Sequence, residues 1–157
     1  MALEIRRAEA GDVEALVALH QELHALHLAE RPDQFKPTND EEIAGVYRTR
    51  LDAANTRVWI AVRDGRAVGH VVAIHHRRAE HAMCPARQWW DVDELYVTAA
   101  ARRSGIARAL LQTVVDAATA AGIREIELNS WAFNHTAHTA FESFGFTPKV
   151  IRFELKR

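Results

Sequence analysis

Three carboxylates stand together at Asp91, Asp93 and Glu94, and a few residues further on the chain turns basic at Arg102-Arg103, just before Gly105. Acids gathered in one short segment can accept a proton or hold a cation. The basic turn suits the opposite task, because it opens an apolar helical pattern whose first amides lack intrahelical partners. The helix macrodipole adds about half a positive charge at that end. The stretch from Val92 to Leu111 thus sets an acidic strand beside an anion site, for which a phosphate-bearing cofactor is the first candidate.

These groups need elements to position them. Trp89 to Val97 reads as a strand, and Ile106, Ala109, Leu110, Val114 and Ala117 recur on one face of a helix that ends near Ala121-Gly122. Ile123 to Leu128 alternates as a strand again. Strand, helix and strand in this order form a crossover unit, so the two strands should be parallel neighbours. Upstream, Leu3 to Arg6 predicts a half-buried strand, and Gly11-Asp12 a turn and an N-cap. Val13, Leu16, Val17, Leu19, Leu23 and Leu26 predict an amphipathic helix. Pro32 and Pro37 interrupt it, and Asn39 or Asp40 caps a second helix with Ile43, Val46, Tyr47 and Leu51 on its apolar stripe. Val58 to Val62 and Ala67 to Ile74 make a hairpin through Asp64-Gly65. His75 to His81 reads as a strand end running into an exposed loop. Asn134 or Thr136 starts a last short helix that stops at Gly145, and Val150 to Leu155 predicts a final strand.

His20, His24 and His27 lie at i, i+4 and i+7 on one helix side. That spacing can present imidazoles to a metal, but no carboxylate or cysteine is aimed at the same point, and the favoured reading is the lining of a substrate cleft. The two helices and their connection then form a substrate lid. Phe35 serves either as a core plug or in aromatic recognition of the substrate, the plug being favoured.

With 157 residues, 48% of them apolar and 26% charged, the chain is long enough for one globular core and too short for two. A net charge of −1 argues against nucleic acid as a partner. Cys84 is the only cysteine, which excludes an internal disulfide. No apolar run approaches membrane-spanning length, and Met-Ala-Leu-Glu-Ile-Arg-Arg lacks the apolar core of a signal peptide, so the expected location is the cytoplasm, away from membranes.

The segment Arg102-Arg103-Ser104-Gly105-Ile106-Ala107 resembles the Arg/Gln-x-x-Gly-x-Gly/Ala signature of the GNAT superfamily of acyl-CoA-dependent N-acetyltransferases. Leu95-Tyr96-Val97 before it and Ala109-Leu110-Leu111 after it fall where that family has them. Asn134-His135-Thr136-Ala137, continuing to Phe141-Glu142-Ser143-Phe144-Gly145-Phe146, resembles the family's second block. The resemblance implies an α/β, GNAT-like fold in a single domain over residues 1–157. Its sheet is expected to be mixed, mostly antiparallel and twisted, with six to seven strands flanked by about four helices. It also implies acetyl-CoA as acetyl donor, with no metal. Arg102, Arg103, Ser104, Gly105, Ile106, Ala107 and Arg108 are then the residues around its diphosphate, where Gly105 permits close backbone approach and the arginines add charge. The backbone of Leu95, Tyr96 and Val97 is expected to bond the pantetheine arm like an added strand, with that strand and the one ending near Asn129 splayed apart. Asn134 matches a position that contacts the same arm, and capping the last helix is its other natural role.

By the same resemblance a substrate amine attacks the thioester directly, so Cys84 is not needed as a nucleophile. A base must take a proton from the ammonium. Glu94 is the favoured base and Asp93 the next. Plain alternation puts Glu94 on a face with Val92 and Tyr96, and a bulge exchanges faces locally. The family often has tyrosine where Phe141 stands, so the proton for the departing thiolate passes to water, Tyr96 or His138, with water ranked first. The acceptor is a small-molecule amine or a peptide amine, Asp91, Asp93 and Glu94 favouring a cationic small amine, and a homodimer is the default assembly. The alternatives are an acyl-CoA-binding module without turnover and a protein-interaction adaptor.

Overall fold

Asp64 and Gly65 both adopt left-handed backbone, with φ of 53° and 72°. Such a turn matches the right-handed twist of the strands it joins, here β2 (Thr56–Arg63) and β3 (Arg66–Arg78). The computed structural model describes residues 2–157. Around this hairpin, β1 (Leu3–Arg7) pairs antiparallel with β2, β4 (Arg87–Val97) antiparallel with β3, and β5 (Ile126–Leu128) parallel with β4. The sheet order is β1-β2-β3-β4-β5. Four helices accompany it among the described residues: α1 (Val13–Glu30), α2 (Asp40–Asp52), α3 (Ile106–Ala120) and α4 (His135–Phe144).

Alternation in the strands assigns the two faces. Val58, Ile60 and Val72 pack with Leu16 and Val17 of α1 and with Ile43, Ala44 and Tyr47 of α2. Trp59, Ala61, Val71, Ala73, Trp90 and Val92 pack with Ile106, Leu110, Leu111 and Val114 of α3. Val46, expected on the buried stripe of α2, is instead exposed. Between the central strands Gly69 lets β3 approach β4 closely, since a Cβ there would lie 2.8 Å from the Tyr96 carbonyl oxygen.

Among the described residues the sheet has five strands, not the six to seven expected. The difference lies at Val150 to Leu155, which forms no strand. Glu154 pairs with Arg31 and Lys156 with Asp33. These contacts draw the segment toward the end of α1, while Ile151, Phe153 and Leu155 face solvent. β5 is also shorter than the alternation from Ile123 predicts. The Ile123 amide donates to the Ala118 carbonyl to close α3, with Gly122 at φ 76°, so the chain joins the sheet only at Ile126. Conversely, His75 to Arg78 belongs to β3, where it pairs with Arg87 to Trp90.

One irregularity in β4 matters most for the site. Val72 lies opposite Glu94 and Ala73 opposite Val92, so Asp93 is an extra residue in the ladder. Such a bulge reverses the faces on either side of it. Val92 joins the α3 core, while Glu94 and Tyr96 point toward α1 and α2, unlike the shared face that plain alternation gives Val92 and Glu94.

Candidate functional site

The basic turn is shaped by two left-handed residues, Arg103 at φ 60° and Gly105 at φ 83°. A Cβ on Gly105 would meet nothing within 4 Å, so glycine is favoured there by conformation and not by crowding within the protein. Arg102 donates through Nε to the Val97 carbonyl at 3.0 Å, and its guanidinium lies 5.5 Å from the Tyr96 ring centre. Ser104 donates to the Ala101 carbonyl, closing the turn. Among the described residues no acceptor meets the amides of Arg103, Ser104, Gly105, Ile106, Ala107 or Arg108, whereas the next amide, Ala109, bonds the Gly105 carbonyl. A run of free amides at the positive end of a fifteen-residue helix fits a diphosphate. Asn134 caps α4, its Oδ1 accepting from the Ala137 amide at 3.3 Å.

Beside this turn the sheet opens. β5 pairs with β4 only from Trp90 to Val92, which leaves the β5-side edge of β4 from Asp93 to Val97 without a strand partner among the described residues. Leu95, Tyr96 and Val97 therefore lie on an open edge that leads to the amide-lined turn.

Glu94 is the centre of a second group, assembled from four elements. Its Oε2 accepts from Tyr47 Oη at 2.5 Å and from His70 Nε2 at 3.0 Å. Its Oε1 lies 3.2 Å from His20 Nδ1 and 2.9 Å from Arg50 Nη1, the latter a charge pair without hydrogen-bond alignment. Arg50 also donates to Asp93 at 2.7 Å. Burial pushes the Glu94 carboxyl up, but His20, His70 and the Arg50 guanidinium outweigh it and hold the group well below the usual carboxylate range. Burial, reinforced by the Glu94 charge, pushes the Tyr47 hydroxyl well above its ordinary range. Asp93, on the bulge, is more exposed than Glu94. Burial raises Asp91, and the neighbouring Asp93 charge adds to the effect.

The sequence pattern singled out Glu94 and Asp93 but placed Tyr47 in an apolar stripe and gave no role to His70 or Arg50. His70 had a signal, since it is a lone titratable residue in the apolar run Val68 to Val72. Arg50 had none, because only the packing of α2 over β4 brings it to Glu94. The three histidines of α1 diverge: His20 joins Glu94, His24 donates to the Lys36 carbonyl at 2.6 Å, and His27 stacks on Phe35 with centres 5.1 Å apart. Phe35 also meets Trp131, and His27 meets Phe133, so the α1–α2 connection touches the loop after β5. Among the described residues no cluster of three His, Cys, Asp or Glu side chains is arranged to hold a metal. No described helix is long and apolar enough to cross a membrane.

Of the groups considered for the thiolate proton, Tyr96 donates its hydroxyl to Glu22 at 2.8 Å, and His138 Nε2 donates to the Trp131 carbonyl. Burial, followed by the Glu22 contact, raises the Tyr96 hydroxyl. Phe141 packs against Phe146 beside the α3 core.

Residues 17–146 match the model of the Acetyltransferase (GNAT) family. No curated protein matches the chain. Among solved structures, the tetramutant of the BH1408 protein from Bacillus halodurans is 21% identical with a TM-score of 0.94, over 98% of this chain and 99% of that one. An aminoglycoside N-acetyltransferase, AAC(6')-Iy, in complex with CoA is 22% identical with a TM-score of 0.79, over 99% and 95%. A predicted acetyltransferase with acetyl-CoA from Clostridium acetobutylicum is 18% identical with a TM-score of 0.75, over 99% and 96%. At these identities the likeness is one of fold.

Proposed function

The chain belongs to the GNAT family of acetyltransferases, and on that premise we propose that it moves an acetyl group from acetyl-CoA to a small-molecule primary amine by direct attack in a ternary complex. The observation that carries the reading is the row of partner-free amides from Arg103 to Arg108 at the end of an open β4 edge. The turn would hold the diphosphate, with charge from Arg102, Arg103 and Arg108. The backbone of Leu95, Tyr96 and Val97 would align the pantetheine arm, and Asn134 would flank it while capping α4. Bound acetyl-CoA supplies a thioester carbonyl, and the chain's own task is to place an amine beside it.

Asp93 and Glu94 provide the acidic side. Their two carboxylates face one guanidinium, Arg50, which leaves a negative charge to draw an ammonium group, and a carboxylate is the first candidate to accept its proton. Two of the fold neighbours, AAC(6')-Iy and AAC(6')-Ih from Acinetobacter baumannii, are aminoglycoside acetyltransferases, which supports a small amine over a peptide. Tyr96 and His138 already donate their protons within the protein. The thiolate proton is therefore assigned to water or to the amine itself.

Calorimetry with acetyl-CoA, followed by thiol release across an amine panel, tests the reading. We expect saturable acetyl-CoA binding, weakened by about 1 kcal/mol in Arg102→Ala through one lost charged contact, and thiol release with at least one cationic amine. Binding without release for any amine would leave an acyl-CoA-binding module, and absence of binding would remove the function altogether.

A further inference from the structure

We propose that His20 Nε2 is the group that takes the proton from the acceptor ammonium, with Glu94 acting on it as a positioning residue. The inference rests on the acetyl transfer proposed above and goes beyond it by moving the proton from the carboxylate to an imidazole.

The hydrogen-bond inventory leads there. Tyr47 spends its one hydroxyl proton on Glu94 Oε2, so its oxygen meets other groups as an acceptor. His20 Nδ1 lies 3.0 Å from that oxygen and 3.2 Å from Glu94 Oε1. Both neighbours accept, so Nδ1 carries the hydrogen. A neutral imidazole with its hydrogen on Nδ1 has its lone pair on Nε2. Among the described residues, His20 Nε2 has no hydrogen-bond partner.

The other acid–base groups of the cluster are committed elsewhere, Asp93 to the Arg50 guanidinium at 2.7 Å. Glu94 is surrounded by Tyr47, His70, His20 and Arg50, which stabilise its charge and weaken it as a base. His70 is fully buried, donates through Nε2 toward Glu94, and has Nδ1 enclosed without a partner, so that nitrogen has no path to substrate. Tyr47 is fully buried as well. His20 is 21% exposed in its side chain, against 11% for Glu94. The charged and titratable groups around it are Tyr47 and Arg50 of α2, His70 of β3, Asp93 and Glu94 of β4, and His24 and His27 of its own helix. A fixed carboxylate behind Nδ1 orients the ring and stabilises the imidazolium formed when Nε2 gains a proton, the logic of a carboxylate–imidazole pair.

The transfer balances as follows. One ammonium proton goes to His20 Nε2, the freed nitrogen lone pair forms the C–N bond to the thioester carbonyl carbon, and the C–S bond breaks with its electrons on sulfur. A second proton of the former ammonium neutralises the thiolate, directly or through water, leaving an amide, a free thiol and an imidazolium that returns its proton to solvent.

Two variants test this with an amine that the wild type acetylates. His20→Asn keeps a donor toward Glu94 but removes Nε2, and His20→Ala opens a space that added imidazole can enter. We expect kcat to fall at least about 100-fold in both, with acetyl-CoA affinity within twofold of wild type, loss of the acidic limb of the kcat pH profile, and partial restoration of His20→Ala by imidazole. Nitrogen NMR of the free wild-type protein should show that the neutral form of the His20 ring carries its hydrogen on Nδ1. Turnover within threefold of wild type in His20→Asn, retention of the acidic limb, no rescue by imidazole, or a hydrogen on Nε2 would each overturn the assignment while leaving acetyl transfer intact. A wild type that binds acetyl-CoA but acetylates no amine defeats the proposed function, and this assignment with it.

Discussion

The basic turn and the Glu94 cluster use hydrogen-bonding capacity in opposite ways. Contacts that shape the turn are short in sequence: Arg102 reaches back five residues to Val97, and Ser104 three residues to Ala101. Its amides from Arg103 to Arg108 remain unspent. The cluster joins Tyr47 to Glu94 across 47 positions and His70 to Glu94 across 24, and both oxygens of its central carboxylate are occupied from within the protein. A region that leaves donors free is suited to seize a ligand, while one that spends its donors and acceptors on itself is suited to hold a side chain in place. The Asp93 bulge connects the two, because it turns Glu94 toward α1 and α2 on the strand whose edge leads to the turn.

The contrast is broken most directly at its buried end. Glu94→Ala leaves Arg50, largely enclosed, with Asp93 as its one carboxylate and strands the donors of Tyr47 and His70. Loss of one member of a buried charge pair costs roughly 3–5 kcal/mol. Urea denaturation should show that loss together with abolished acetyl transfer. A change below about 1 kcal/mol would mean that the cluster does not hold the fold together.

Acid sharpens the same point. The folded protein holds Glu94 below its ordinary value of 4.5. Its contribution is therefore complete above that value, and is lost as pH falls and the unfolded chain takes up the proton that the folded chain refuses. Between pH 5 and pH 3 the wild type should lose about 2 kcal/mol more stability than Glu94→Gln, as measured by denaturant midpoints at each pH. Parallel losses in the two proteins would assign the acid sensitivity elsewhere.

At the turn, the effect on folding should be smaller and the effect on binding more visible. Gly105→Ala places a Cβ at φ 83° in open space, so the cost is conformational, roughly 1–2 kcal/mol. Thermal melts should register that cost, and calorimetry should register a weaker affinity for acetyl-CoA. If stability falls and affinity does not, the amides of this turn are not the diphosphate site.

Local residues made much of this molecule readable in advance. Asp64-Gly65 announces its hairpin, Gly122 and Gly145 end helices α3 and α4 with φ of 76° and 124°, and Asn134 caps α4, because each conformation depends on residues only a few positions apart. Val150 to Leu155 misled for the same reason. Its alternation describes a strand, but a strand needs a partner edge, and contacts of Glu154 and Lys156 with Arg31 and Asp33 draw it elsewhere. Ile123 shows the same competition on a smaller scale, since its amide closes α3 before it can enter the sheet.

The chain alone therefore determined most of the order of elements, the basic turn with its glycine and the presence of acids on the preceding strand, since all of these follow from short-range sterics and periodicity. Tertiary structure decided which acid faces which helices, and what surrounds it. The bulge depends on the register between β3 and β4, and the company of Glu94 depends on α1 and α2 docking over that face. A carboxylate's charge, exposure and partners are properties of the space it occupies, and that space is enclosed by residues from four separate elements.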